Sequence, residues 1–255
     1  MGKTFVAGTL AHLFAQAGYQ VLAIDNDPSM NLAFALGIPE EVRDSLTPIS
    51  KMGDLVEERT GVRPGAQGGI YKLNPRVEDI PDKYVVEGPN GVKLLVLGTI
   101  ENPGSGCLCS SNVLVRTLLY NLFVERKEVV IVDFEAGLEH LGRGTAKGVE
   151  YMLVVTEPSQ KSVDLTTRVV RLADEMGVQH VFALLNKVAR EEDEKFLRDK
   201  FEAISVPVLG TVGFDPLVRE ADLQGTSLVL TNPDAPAIRD LRAIFRRLSM
   251  LEQAS

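Results

Sequence analysis

Cysteine is scarce in this chain of 255 residues. The two cysteines, Cys107 and Cys109, are too few and too close in sequence for the disulfide framework of a small secreted protein. The sequence contains no run of about 18 apolar residues, so we predict no membrane span. It also shows no cationic and apolar leader, and we therefore expect a cytoplasmic protein.

Basic residues are also fewer than acidic residues. The chain has 27 Lys and Arg residues against 35 Asp and Glu residues, a formal net charge of -8. This balance argues against non-specific binding to nucleic acid. Apolar residues make up 45% of the chain, enough for a buried sheet with covering helices, and the length fits one domain over 1–255. Within it, the less regular stretch from about 40 to 91 is predicted to be an insertion.

Short apolar runs, separated by segments of helical periodicity, indicate the fold class. Such runs are typical of parallel strands that are buried on both faces. We therefore predict an α/β fold, a doubly wound and mostly parallel sheet of six or seven strands with helices on both faces. One helix is predicted over 113–123, with Ser111 or Asn112 as its N-cap. The predicted strands include 21–24, 92–97, 128–133, 148–156, 178–186 and 206–211.

The chain opens with Gly2, Lys3 and Thr4, which match the last three positions of the phosphate-binding pattern G-x-x-x-x-G-K-[ST]. In that loop the lysine reaches the terminal phosphates and the hydroxyl binds Mg²⁺. A tripeptide alone is weak evidence, but this one stands at the start of a predicted helix. The first strand and the first half of the loop are missing from the sequence.

Acidic residues follow two of the predicted strands. Asp25 and Asp27 leave the first of them, at the edge where open α/β sheets bind ligands. Asp133 closes another apolar run and precedes Gly137, whose backbone N–H is placed to meet a γ-phosphate. These acids are therefore candidates for holding Mg²⁺ and positioning water. The alternative is that they are helix caps and turn residues.

Two further polar residues end strands on the same side. Asn186 presents a donor and an acceptor together, which suits the edge of a purine base. Asp215 follows the last predicted strand and is a weaker candidate for bordering that base. For Asn186, an ordinary role as a C-cap or turn residue is the alternative.

Cys107 and Cys109 are separated by one residue in a Gly-rich stretch before a predicted helix. Two thiolates can bind one soft metal ion, but a Zn²⁺ or Fe–S site usually takes four ligands. One chain supplies two, so a symmetric dimer would supply four thiolates at its axis. The alternative interpretation is two ordinary free cysteines.

Together these residues resemble the nitrogenase-iron-protein and MinD superfamily of deviant P-loop ATPases. Members carry K-G-G-x-G-K-T, D-x-D after the second strand, a D-x-x-A-G switch and an Asn for the base. Within it, Cys-x-Cys and the run Glu-His-Leu-Gly-Arg-Gly-Thr-Ala-Lys after the switch resemble the carbon monoxide dehydrogenase maturation ATPases of the CooC type. That resemblance implies an ATP-dependent homodimer that helps to deliver nickel to carbon monoxide dehydrogenase.

The resemblance also implies a role for each matching residue. In the nucleotide site, Lys3 would bind the β- and γ-phosphates, Gly137 would sense the γ-phosphate, and Asn186 would read adenine. Asp27 would position the attacking water. Metal ions would be held in two places, Mg²⁺ by Thr4 and, through waters, by Asp25 and Asp133, and Zn²⁺ or Ni²⁺ between subunits by Cys107 and Cys109.

Two alternative functions share this superfamily. An Fe–S redox ATPase like nitrogenase iron protein also bridges a cluster between subunits, but its cluster cysteines stand far apart in sequence. A positioning ATPase of the MinD kind has no need of Cys-x-Cys. The cysteine spacing therefore favours the nickel-insertion hypothesis over both.

The signature lysine that reaches across the dimer in this superfamily would lie before Met1. Met1 occupies the place of a small residue such as Val, and a GTG codon can serve as a start. We hypothesise that the native protein begins roughly ten residues upstream, about one strand and half a loop. An upstream DNA sequence without an in-frame K-G-G would contradict this hypothesis.

The missing strand and half-loop lead to a prediction for the chain as given. We expect weak ATP binding and low stability, because part of the phosphate cradle and a buried strand are lacking. Isothermal titration calorimetry with ATP measures this directly. Tight binding by this chain would show that the expectation is wrong.

Overall fold

The computed structural model describes residues 2–27, 29–66, 72–98, 110–125, 128–134 and 148–252. This part of the chain contains both helices and strands, and helices separate most of the strands. The longer helices are α1 (Lys3–Gln16), α4 (Gly53–Thr60), α6 (Ser110–Glu125), α7 (Gln160–Met176), α8 (Glu191–Ala203), α9 (Pro216–Leu223) and α11 (Pro236–Glu252). The short helices are α2 (Leu32–Ala35), α3 (Glu40–Arg43), α5 (Ile80–Tyr84) and α10 (Leu228–Thr231). The strands are β1 (Val21–Asn26), β2 (Val86–Glu87), β3 (Lys93–Val96), β4 (Val129–Phe134), β5 (Tyr151–Thr156), β6 (His180–Val188) and β7 (Val208–Gly213).

The strands form two sections, with the orders β2-β3-β1-β4 and β5-β6-β7. Every pair is parallel except the short β2, which runs antiparallel to β3 at the edge. The predicted α/β fold with a mostly parallel sheet is therefore confirmed. Parallel strands end at a common edge, and this edge collects the polar residues that follow the apolar runs.

Both faces of the sheet are covered, which explains why the strands read as continuous apolar runs. In β1, Leu22 and Ile24 pack into a cluster with residues of α4 and α6. The alternate residues Val21 and Ala23 pack beneath α1 on the other face. All six residues of β1 are buried, as a central strand requires.

The sheet is interrupted between β4 and β5. Among the described residues, β4 pairs only with β1 and β5 only with β6. Helix α1 nevertheless covers both strands, because Leu10 and Leu13 share one cluster with Ile131 of β4 and Leu153 of β5. Residues 129–132 of β4 are only half-buried, unlike those of β1. The two facing strands thus lie under one helix without a described strand joining them.

The start of α6 differs from the sequence prediction. The helix begins by Ser110, so Ser111 and Asn112 lie inside its first turn and the predicted N-cap is wrong. The buried Ser111 hydroxyl instead donates to the carbonyl of Ser50, 3.0 Å away, in the 3-10 turn Ile49–Lys51. This hydrogen bond ties α6 to the segment before α4. Helices α9 and α10 were not predicted from the sequence.

The interrupted sheet predicts a pattern of hydrogen exchange. We expect backbone amides of β4 and β5 to exchange roughly tenfold faster than those of β1, because no described strand pairs with their second side. Strand β6, which pairs on both sides, is the matched control. Hydrogen–deuterium exchange read by mass spectrometry or NMR gives the comparison. Equal protection of β1 and β4 would contradict the interruption.

Candidate nucleotide-binding site

Gly2 is the N-cap of α1 and the first residue of the candidate site. Its φ of +80° lies in the left-handed region, which favours glycine. A side chain there would also place its Cβ 2.5 Å from Asn186 Nδ2. Gly2 thus lets the first turn of α1 approach the end of β6. The exposed N–H groups and positive dipole end of a 14-residue helix make this turn suitable for a phosphate group.

Asp25 and Asp133 lie side by side at the carboxyl edge of the sheet. They are register partners on the parallel strands β1 and β4, and both are buried. Both Lys3 and Thr4 lie in the first turn of α1. Thr4 forms a hydrogen bond with Asp133, and the positive charge of Lys3 interacts with the same carboxyl. The structure therefore brings together four residues that the sequence placed in one site.

The carboxylate of Asp25 is held by the loop that follows it. One oxygen accepts the backbone N–H of Asp27 at 3.0 Å and the other accepts that of Leu32 at 2.9 Å. Burial raises the pKa of Asp25 to about 7, with smaller contributions from the charges of Asp133 and Asp27, and the two hydrogen bonds oppose the rise. A nearby cation would favour the ionised form.

Asp133 has a carboxylate oxygen for which the described residues offer no partner. Burial raises the pKa of its carboxyl, while a hydrogen bond from Thr4 and the positive charge of Lys3 oppose that effect. Its Oδ2 is buried and has no hydrogen-bond partner among the residues that the structure describes, and the same holds for Oδ1 of Asn26 on β1. A buried acceptor without a partner is costly, and carboxylate oxygens are preferred ligands of Mg²⁺. The residues present therefore fit a magnesium ion.

Asp27 lies just beyond β1 and is half-buried. Its Oδ1 accepts the backbone N–H of Ser29 at 2.8 Å and also the hydroxyl of Ser29. The carboxylate is thus anchored through one oxygen. The sequence prediction that Asp27 positions water stays a prediction, and the contact with Ser29 was not foreseen.

Asn186 is buried near the carboxyl end of β6 and faces Gly2. The next residue, Lys187, has a φ of +57°, and its Nζ lies 2.6 Å from Oε1 of Glu157, which follows β5. This ion pair links the ends of β5 and β6 beside Asn186. The sequence placed Asn186 correctly at this edge but gave no sign of the ion pair. Its role in reading adenine stays a prediction.

Asp215 has a clear structural role. It is the N-cap of α9 and accepts the backbone N–H of Leu217 at 3.0 Å. Its second oxygen accepts the backbone N–H of Ala237 in α11, also at 3.0 Å. Both oxygens therefore bind backbone N–H groups at helix N-termini, a role that was not predicted from the sequence. A contact with the base stays a prediction.

The remaining predicted site residues, Gly137, Cys107 and Cys109, lie outside the described residues. In the part of the chain that the structure describes, no three His, Cys, Asp or Glu residues come together as a metal site. The described helices also include none with the length and apolar content to cross a membrane.

Comparison with known proteins assigns the chain to a family. The model of the CobQ/CobB/MinD/ParA nucleotide binding domain matches residues 1–229. The chain belongs to the CobQ/CobB/MinD/ParA family. Its members are P-loop proteins, and the family implies ATP and Mg²⁺.

Several members of the CobQ/CobB/MinD/ParA family are similar over most of the chain. An uncharacterised ATP-binding protein of Methanocaldococcus jannaschii is 41% identical and covers 100% of this chain and 96% of its own. The carbon monoxide dehydrogenase accessory protein CooC of Rhodospirillum rubrum is 40% identical over 91% of this chain and 87% of its own.

Solved structures of the family share the fold. The MinD cell division protein of Aquifex aeolicus has a TM-score of 0.68 at 20% identity, covering 97% of this chain and 91% of its own. MinD of Pyrococcus horikoshii, solved with Mg-ADP, has a TM-score of 0.66 at 19% identity. The match covers 99% of this chain and 93% of that MinD chain.

The raised pKa of Asp25 predicts how stability depends on pH. Between about pH 4 and about pH 7 the folded protein keeps a proton that the unfolded chain has released. The free energy of unfolding therefore falls as pH rises through this window. Replacing Asp25 by Asn should make the free energy of unfolding fall less steeply with pH. Some fall should remain, because the raised pKa of Asp133 contributes to it as well. The variant should also lose about 1–3 kcal/mol at pH 5, since an amide N–H would face a backbone N–H.

Urea unfolding between pH 4.5 and pH 8, without Mg²⁺ or nucleotide, measures both effects. The exposed Asp164 of α7 gives a matched control, Asp164→Asn, which should follow the original pH profile. An Asp25→Asn variant with an unchanged slope would contradict the assignment.

Proposed function

We propose that this chain is a Mg²⁺-dependent ATPase of the CooC type, a cytoplasmic accessory protein for nickel insertion into carbon monoxide dehydrogenase. The observation that carries the proposal is the 40% identity with CooC of Rhodospirillum rubrum over 91% of the chain. The polar edge of the sheet supports it, because it offers the groups that ATP hydrolysis needs.

Each group at the edge has a task in ATP hydrolysis. Lys3 and the first turn of α1 would hold the terminal phosphates. Thr4 and the unused oxygen of Asp133 would hold Mg²⁺, which neutralises negative charge on the phosphates when bound. Asp27 would orient the attacking water. Catalysis would thus consist mainly of positioning and charge stabilisation.

The metal cargo would bind elsewhere, at Cys107 and Cys109. A pair from each subunit of a homodimer gives four thiolates, which suit Zn²⁺ or Ni²⁺. ATP between the subunits would align the pairs, and hydrolysis, sensed at Gly137, would open the dimer and release the metal or its client. Asn186 and Asp215 would lie on the side of the base.

The cysteine pair separates this proposal from its alternatives. The likeness to MinD structures at about 20% identity supports the fold alone. A MinD-like positioning ATPase would use the same nucleotide edge without any need for thiolates. An Fe–S redox ATPase would hold iron and sulfide in place of a single ion.

We predict that the protein binds about one Zn²⁺ or Ni²⁺ per two chains. The double variant Cys107→Ser and Cys109→Ser should lose this ion, because serine is a poor ligand for soft metals. Equilibrium dialysis with elemental analysis gives the metal content, and sedimentation with and without ATP gives the oligomeric state.

His180, exposed on β6, offers a matched control, since it is another ligand type for these ions. The His180→Ala variant should keep the metal. Metal retained by the cysteine variant would contradict the proposed site and favour a MinD-like function. Iron with acid-labile sulfide would favour the redox ATPase.

A further inference from the structure

The loop between β1 and α2 contains a chain of side-chain hydrogen bonds that the proposed mechanism does not yet use. Asn31 Nδ2 donates to Ser29 Oγ at 2.8 Å, and the Ser29 hydroxyl donates to Asp27 Oδ1. The Ser29 backbone N–H donates to that same oxygen at 2.8 Å. Two residues of the loop therefore act on one carboxylate, Ser29 directly and Asn31 through Ser29.

The donors in this series of hydrogen bonds all point from Asn31 toward Asp27. A serine hydroxyl has a single hydrogen, and here that hydrogen goes to Asp27. The Asn31 amide donates to the oxygen of the same hydroxyl, which keeps the hydrogen turned toward Asp27. Both bonds from Ser29 end on Oδ1, so that the second oxygen of Asp27 is not used by Ser29.

The hydrogen bonding of Asn31 is unusual for its position. It is the N-cap of α2, where asparagine commonly binds a free backbone N–H and contributes about 1 kcal/mol. Its side chain makes no such capping bond here. Its amide is directed to Ser29 instead, so the loop gives up a local stabilisation to support the carboxylate.

The backbone between these residues is also strained. Met30 has a φ of +52°, a left-handed conformation that is unfavourable for a residue other than glycine. Its N–H donates to the carbonyl of Asp27 at 3.2 Å, and the N–H of Leu32 donates to Asp25. The loop is therefore wound tightly between the two acids. Strain of this kind persists where the surroundings fix it, and it is often found at functional sites.

We propose that Ser29 is a positioning residue, which, supported by Asn31, holds one oxygen of Asp27 and leaves the other for the attacking water. This inference rests on the proposed ATP hydrolysis. Ser29 does not touch the reacting atoms in this scheme. It acts through Asp27, by reducing the number of orientations that the carboxylate can adopt.

Two measurements on Ser29→Ala test the proposal. The first is the side-chain rotamer of Asp27, read from NMR three-bond couplings without nucleotide. We expect one dominant rotamer in the original protein and partial averaging in Ser29→Ala, in which only the backbone N–H of residue 29 still binds Oδ1. The second is steady-state ATP hydrolysis at saturating Mg²⁺ over a range of ATP concentrations, which gives kcat and KM separately. We expect kcat to fall by roughly fivefold to tenfold, with KM changed by less than about twofold.

Three comparison variants sharpen the experiment. Ser29→Thr keeps the hydroxyl and should preserve both the rotamer and kcat. Asn31→Ala should give a smaller loss in the same direction. Ser45→Ala removes an exposed hydroxyl that donates to the carbonyl of Val42, and it should change neither measurement.

The outcomes separate this inference from the proposed function. A fixed Asp27 rotamer in Ser29→Ala would overturn the positioning role, whatever the hydrolysis rate. Equal kcat in Ser29→Ala and the original protein would do the same. If the original protein binds ATP without hydrolysing it, the proposed function fails, and the rotamer measurement still decides whether Ser29 holds Asp27.

Discussion

Two buried carboxylates on neighbouring strands are the constraint around which this structure is arranged. Burying a single carboxylate costs several kcal/mol, and placing two side by side adds repulsion. Asp25 is compensated by two backbone N–H groups of the loop after β1, and Asp133 by Thr4 and Lys3. The loop and the start of α1 are thus both held in place by the acids. One oxygen of Asp133 has no partner in the described part of the chain, and this makes the edge receptive to a cation.

Much of this arrangement could be predicted from the sequence. Buried parallel strands read as short apolar runs, and the residue that ends each run lies at the ligand edge. That reasoning placed Asp25, Asp133 and Asn186 at one edge, as the structure does. The left-handed Gly2 also fits the phosphate-loop pattern, because only glycine allows the close approach to Asn186.

Other features have no comparable signal in the sequence. The bond from Ser29 to Asp27 joins polar side chains in an irregular loop, where no periodicity indicates which atoms meet. Ser111 fitted the composition of an N-cap, but a contact with Ser50, distant in sequence, uses its hydroxyl instead. Asp215 precedes a proline, a common helix start, yet its second bond to α11 depends on tertiary packing.

Paramagnetic broadening of backbone amide signals by Mn²⁺ and ATP tests the central claim most directly, because Mn²⁺ takes the oxygen ligands that Mg²⁺ takes. At saturating ATP, the account predicts the strongest broadening at Gly2, Asp27 and Asp133, and none when Mg²⁺ replaces Mn²⁺. Tyr151 and His180, paired at the amino ends of β5 and β6, should be much less affected. Broadening centred on those amino ends would place the nucleotide on the wrong side of the sheet and contradict the account.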